Sequence, residues 1–208
     1  MARTRLSPDE RRTQLLALGA QLFSAMPYDD VHIERVAELA GVSRGLLYHY
    51  FPTKRAFFAE LVRAGSEQML DETAPDPGQP PIEQLRRGVD AYLVHCGANP
   101  HTSRAVQRGA ASADPEVQAL IADATGRHEE RILATLCDGE PAPELLRLAV
   151  RAWIVLLRTA CQEWLDRPEL PRDQVLDVCV DAFVGMMLGL PHGVRPRLAD
   201  ELLTDHLA

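Results

Sequence analysis

Arg44, Tyr48 and His49 bring hydrogen-bond donors to one short stretch, SRGLLYHY, that runs from Ser43 to Tyr50. A guanidinium can make two parallel hydrogen bonds to the edge of a guanine. A phenol and an imidazole can donate to phosphate oxygens. Gly45 has no side chain, so the backbone there can approach a partner closely. Leu46 offers an apolar contact of the kind a thymine methyl accepts. Lys54 stands beyond a Phe51-Pro52 break, placed for a phosphate. This is the chemistry of holding a duplex, not of making or breaking bonds. The chain shows no nucleophile elbow, no Gly-rich phosphate loop and no Ser/His/Asp spacing.

Such donors act together only if short helices fix their directions. Ile33, Val36, Ala37 and Ala40 are spaced three and four apart, as one apolar helical face requires. Gly41 follows, where a helix end favours a residue free to take positive φ. Ser43 then sits as an N-cap for the next helix. Helix, tight turn with Gly and second short helix make a helix-turn-helix pattern, whose second helix enters the major groove. Leu47 points back toward the first of the pair. Phe51 ends the second helix, because a residue before proline avoids α geometry. Thr53 caps a longer helix that starts at Lys54 and runs to about Glu72. Upstream, Ser7-Pro8-Asp9-Glu10 is a capping box with Pro in the first turn. It opens a helix to about Ala25. Leu15, Leu18 and Leu22, with Leu16, Ala20 and Phe23 beside them, are expected to face the motif.

The string AGVSRGLLYHYFPTKRAFF, preceded by LLALGAQLF, resembles the signature of the tetracycline-repressor (TetR) family of one-component regulators. The match runs from about Arg12 to about Leu61. The resemblance implies an all-α fold. A three-helix DNA-binding domain would span residues 1–55, and a larger helical effector-binding and dimerisation domain 56–208. It implies a ligand-responsive transcriptional regulator rather than an enzyme. By family default this is a repressor released from a palindromic operator by a small molecule, with activation left open. Ser43, Arg44, Gly45, Leu46, Tyr48, His49 and Lys54 are its expected DNA contacts. The chain departs from the pattern at Val31 and His32, where the family usually carries a Thr/Ser pair. That leaves His32 or Asp30 to cap the first motif helix.

The 208 residues carry a net charge of −8, which at first sight argues against a DNA partner. The charge is unevenly spread. Residues 1–55 hold 8 Lys/Arg and 6 Asp/Glu, a balance of +2, and the rest hold 14 and 24, a balance of −10. The basic end therefore carries the motif and the acidic body lies behind it. Hydrophobic content of 46% and charged content of 25% fit a folded soluble chain. Met1 to Glu10 has no apolar signal core, and the longest apolar run, Ala182 to Leu190, is too short to span a bilayer. Cys96, Cys137, Cys161 and Cys179 lack C-x-x-C spacing and read as reduced thiols beside apolar residues. A cytoplasmic location is the expectation, with no metal and no cofactor. His128-Glu129-Glu130 makes no metal site, because neighbouring residues on a helix do not face one another.

Proline and glycine divide the acidic body into helices. Asp71 to Pro81 is a loop. Helical segments follow at Ile82 to Gly97, from Asn99-Pro100 to about Ala111, from Asp114-Pro115-Glu116 past Leu136, at Glu144 to Asp166, and at Asp173 to Leu190. From Ala149 to Leu157 apolar residues occupy almost the whole circumference, so several sides need cover. In the family the last two long helices pair with their copies across a two-fold axis, so a homodimer through 144–166 and 173–190 is expected. Tyr92, His95, Cys96, His128, Trp153 and Met186 are candidates to line an effector pocket, with plain core packing as the alternative for each. Arg3 and Arg5 read as a frayed, solvated terminus, with a minor-groove arm as the alternative, and the tail from Pro196 as a further short helix. Two other classes remain open on the residues alone: an enzyme that turns over its ligand, and a DNA-binding adaptor with no effector.

Overall fold

The structure, a computed structural model, describes residues 6–108 and 114–196. Among the described residues every regular element is helical. The α-helices are α1 (Pro8–Ala25), α2 (Glu34–Ala40), α3 (Arg44–Tyr50), α4 (Lys54–Glu72), α5 (Pro81–Ala98), α6 (Pro100–Gln107), α7 (Pro115–Leu136), α8 (Glu144–Asp166) and α9 (Arg172–Gly189). A 3-10 turn, Tyr28–Asp30, links α1 to α2. Arg3, Arg5 and the tail expected after Pro196 lie outside the described residues. No helix of the described residues is long and apolar enough to cross a membrane.

Packing divides the described chain into two units. One holds residues 6–66, 98–108 and 114–121; the other holds 67–97 and 122–196. Helices α4 and α7 each contribute residues to both.

In the first unit, α1 starts as its sequence dictates. The Ser7 hydroxyl accepts from the Glu10 amide at 3.2 Å, and Glu10 Oε2 accepts from the Ser7 amide at 2.7 Å. The buried stripe of α1 is Leu15, Gly19 and Phe23, while Leu18 is only partly covered and Ala20 is exposed. The expected face holds at Leu15 and Phe23, with Leu16, Leu18 and Leu22 packed at its edge, and its centre is Gly19. The reason is aromatic bulk: the rings of Phe23, Phe51, Phe57, Phe58 and Tyr28 cluster beneath it, with Phe51 edge-on to Phe57 at 4.5 Å and Phe23 against Phe58 at 5.1 Å. Burying such rings removes more area from water than any leucine. Arg12 joins the same packing, lying 5.4 Å over the Phe51 ring and pairing with Glu60 at 2.6 Å. Helix α6 closes the end of α1. Thr102 donates to the Phe23 carbonyl at 3.3 Å, and Ser24 donates to the Asn99 side chain at 2.7 Å. Ala105 and Val117 complete the core.

The second unit has its own core. Val89, Leu93 and Cys96 of α5, Leu133 and Leu136 of α7, Leu146 to Cys161 of α8 and Cys179 to Met187 of α9 supply its buried side chains. Trp153 anchors α8 to α9: its indole donates to the Cys179 carbonyl at 2.9 Å and its ring meets Phe183 edge-on at 4.8 Å. Arg131 caps the end of α4, donating to the Leu70 carbonyl at 2.5 Å and to the Thr73 hydroxyl at 2.6 Å. A cation at a helix C-terminus offsets the unpaired carbonyls there.

Candidate nucleic-acid interface

Helix α2 ends as a Schellman motif. Gly41 takes φ 64°, and the Gly41 and Val42 amides return to the Glu38 and Ala37 carbonyls at 3.1 and 2.9 Å. That left-handed residue turns the chain sharply enough for α3 to start at Arg44, after only Val42 and Ser43. Ser43 then caps α3, its hydroxyl accepting from the Leu46 amide at 3.2 Å. Val36, Ala37 and Ala40 of α2 and Leu47 of α3 are buried together, which fixes the pair on α1. Phe51, fully buried in extended geometry, ends α3. The Thr53 hydroxyl accepts from the Ala56 amide at 3.0 Å and restarts the chain as α4.

The start of α2 differs from expectation. Its N-cap is Ile33, which has no side chain able to accept, and neither His32 nor Asp30 takes over. The Arg35 and Val36 amides are satisfied instead by the His32 and Ile33 carbonyls, at 3.0 and 2.9 Å. Tight backbone turns of this kind replace a side-chain cap. Val31 and Ile33, both buried, hold the entry to the helix.

With Leu47 turned inward, α3 leaves Arg44, Gly45, Tyr48 and His49 exposed on one side, with Leu46 half-buried. Arg44 makes no hydrogen bond or ion pair with any described residue. Gly45 is not required by the fold: a Cβ there would meet only the Ser43 hydroxyl, at 3.9 Å. His49 stacks edge-on to Tyr50 at 5.6 Å. Tyr48 is engaged, its phenol donating to the Glu34 carboxylate. That bond, ahead of the nearby Arg44 and His32 charges, holds the Glu34 carboxyl below its ordinary range, and it raises the Tyr48 phenol in turn. Lys54 is engaged too. Its ammonium donates to the Asp29 carbonyl at 3.1 Å and sits 4.6 Å over the Tyr28 ring, and partial burial lowers its pKa. Lys54 therefore ties α4 to the 3-10 turn.

A groove runs beside this face. Leu22, Met26 and Val31 floor it, and Asp30, His32, Glu34, Arg35, Glu38 and Arg44 line it. Glu34 was not among the expected contacts. In sequence it reads as an ordinary acid in a first helical turn, and nothing signals that Tyr48, fourteen residues on, reaches it.

The six pocket candidates all fall in the second unit: Tyr92, Cys96, Trp153 and Met186 belong to one apolar core, while His95 and His128 turn to polar neighbours. Tyr92 and Cys96 of α5 meet Cys161 of α8 in a hydrogen-bonded set. Burial first, and the two thiols next, push the Tyr92 phenol well up; the Cys96 contact and burial raise the Cys161 thiol. Trp153 and Met186 belong to the α8–α9 packing. His95 turns to Glu72 at 2.8 Å. His128 lies 3.1 Å from Arg131, and burial with the Arg131 and Arg127 charges pushes it down to about 4. Both histidines thus face the end of α4. The burial of two polar side chains was not anticipated from sequence. Glu129 is held by Arg147 at 3.2 Å and Arg151 at 2.7 Å. Gln162, 1% exposed, has neither amide atom hydrogen-bonded. Helical periodicity could have flagged neither, because both sit one step from the apolar stripe of their helix. Among the described residues no group of three His, Cys, Asp or Glu is placed to hold a metal.

The profile described as "Bacterial regulatory proteins, tetR family" matches residues 15–61. That described as "Tetracyclin repressor-like, C-terminal domain" matches residues 81–186, just over half the chain. The HTH-type transcriptional regulator EthR of Mycolicibacterium smegmatis is 30% identical over 49% of this chain and 48% of its own length. EthR of Mycobacterium tuberculosis is 26% identical over 89% of this chain and 90% of its own. The HTH-type transcriptional repressor KstR of Rhodococcus jostii is 28% identical over 67% of this chain and 66% of its own. Among solved structures, a tetR-family transcriptional regulator from Streptomyces coelicolor superposes with a TM-score of 0.88 at 28% identity, covering 96% of this chain and 91% of that one. The helix-turn-helix geometry and both profiles agree, and the chain belongs to the TetR family of DNA-binding transcriptional regulators.

Proposed function

We propose that the protein is a dimeric repressor that binds a palindromic operator through α3 and releases it when a small molecule occupies the second unit. The observation that carries the DNA contact is the Ser43-capped α3, with Leu47 buried and Arg44, Gly45, Tyr48 and His49 on the open side. Ser43, Leu46 and Lys54 flank that surface. Arg44 is the base-reading residue, making no hydrogen bond or ion pair among the described residues and able to take a guanine edge bidentately. Tyr48, His49 and Lys54 hold phosphates and set register.

Dimerisation through α8 and α9 is supported by what those helices leave uncovered. Leu148 and Val155 of α8 and Val178 of α9 are each more than 60% exposed. Large apolar residues grouped in this way mark an association surface. Two copies so joined would present two recognition helices to half-sites about 34–36 Å apart. Repression is the direction named for the Rhodococcus relative.

The effector site is read onto Tyr92, Cys96, Trp153 and Met186, with His95 and His128 near the end of α4. Coupling runs through α4, which supplies residues to both units. An effector weakens DNA binding only by its own preference for one placement of that helix. The test is capture of fragments of the source genome by the full-length protein at low ionic strength, with its mass measured in solution. A dimer that enriches discrete palindromic fragments is expected. A monomer, or a protein that retains no fragment, overturns the reading.

A further inference from the structure

We propose that Glu34 determines operator specificity: its carboxylate disfavours DNA in general and is tolerated only where a base presents an amino group. The inference rests on the reading of α3 as the DNA-binding helix.

Glu34 is the first residue of α2, yet its carboxylate belongs to the exposed side of α3. Tyr48 donates its phenol to Glu34, and Arg44 and His32 lie close enough for their charges to act on it. The carboxylate is therefore surrounded by the groups that would meet a duplex, along a groove that Arg44 also lines. A surface built to meet a polyanion gains nothing general from an anion at its centre, because like charges across an interface cost affinity.

A phenol has one proton to donate. While Glu34 holds it, Tyr48 cannot give it to a phosphate. Binding through Tyr48 therefore breaks the Tyr48–Glu34 bond and leaves a bare carboxylate against the DNA. Facing phosphate, or the O6 and N7 acceptors of guanine, that carboxylate meets only repulsion. Facing the N4 amino group of cytosine or the N6 amino group of adenine, it accepts a hydrogen bond that replaces the one lost. Discrimination arises mainly from the penalty on wrong sequences, which is how many specific interfaces select. Arg44 and Glu34 then read opposite chemistries from one groove: the guanidinium seeks acceptors and the carboxylate seeks donors.

The test uses the full-length protein and duplexes of 30 base pairs with a randomised centre, selected by wild type, Glu34→Ala, Glu34→Gln and Tyr48→Phe. Thermal melts establish that each variant is folded; Glu34→Gln keeps the shape and the Tyr48 partner should Glu34→Ala fold poorly. For Glu34→Ala the affinity for unselected duplex should rise several-fold. One position per half-site should lose its preference for cytosine or adenine, a loss of about 5-fold or more in discrimination there. Glu34→Gln should lose much of the penalty as well, because its amide also offers donors to guanine. Tyr48→Phe should weaken all sequences alike and leave the selected motif unchanged. If the Glu34 variants select the wild-type motif with undiminished preference, the inference is overturned. If wild type itself retains no duplex, the reading of α3 fails first and this inference falls with it.

Discussion

Phe57 presses the Cε1–Cζ edge of its ring against Gly19, so close that a Cβ built on Gly19 would stand 2.1 Å from Phe57 Cε1. Helix α1 crosses the start of α4 at this point, and glycine is what allows the approach. Phe57 is itself enclosed by Phe23 and Phe51 and has no room to turn aside. Gly19→Ala should therefore destabilise the first unit through overpacking, by about 1–3 kcal/mol. Urea unfolding of wild type and variant measures it. An unchanged midpoint would mean that Phe57 has another position available.

Gly45 gives the opposite expectation. The fold leaves space for a Cβ there, and alanine favours a helix over glycine by roughly 0.5–1 kcal/mol. Gly45→Ala should keep or raise thermal stability while lowering affinity for the operator, because the added methyl stands between backbone and duplex. Melting temperature and fluorescence anisotropy on one preparation separate the two effects.

Arg44 and Lys54 should differ in kind. Arg44→Ala should lose about 1–3 kcal/mol on the operator and relax preference at one base pair. Lys54→Ala should weaken all duplexes alike and reduce the salt slope by about one. Lys54 also holds the Asp29 carbonyl and the Tyr28 ring, so this variant should melt somewhat lower as well. Binding titrations over a range of salt concentrations, with operator and random duplex, check both.

Gln162 is buried with both amide atoms unpartnered. Leaving a buried polar group without a hydrogen bond costs about 1–3 kcal/mol. Gln162→Leu, similar in size and apolar, should recover part of that and raise the melting temperature. A lower melting temperature would indicate that the amide is satisfied in solution, by water or by a bound molecule.

His128 gives the second unit a pH dependence with a definite sign. Burial, then Arg131 and Arg127, lower its folded pKa from 6.5 to about 4. Between those values the unfolded chain takes up a proton that the folded chain refuses. The stability associated with a neutral His128 is thus complete above pH 6.5 and is lost as the pH falls toward 4. Denaturant unfolding across that range should show His128→Gln losing less stability on acidification than wild type.

The DNA-binding motif was legible because local chemistry decides it. Gly41 must accept positive φ, Ser43 must cap, Phe51-Pro52 must stop a helix and Thr53 must restart one, and each of these acts within a few residues. The same locality gave α1 its capping box and marked the starts of α7 and α8 at proline. The α1 core face was legible at Leu15 and Phe23, with Leu16, Leu18 and Leu22 packed at its edge, but the expected face included the exposed Ala20 and left out Gly19. Spacing ranks leucine above glycine, whereas the packing needed a gap for Phe57.

Tertiary structure alone decided the rest, since it turned on residues far apart in the chain. Tyr48 meets Glu34, Lys54 meets the Asp29 carbonyl, and Arg131 reaches back to Leu70. Of the expected pocket residues, Tyr92, Cys96, Trp153 and Met186 share one core, whereas His95 and His128 found polar partners near the end of α4. Sequence determines which way each helix is amphipathic and where it begins. Which polar atoms then meet across helices depends on crossing geometry, and no periodicity encodes that.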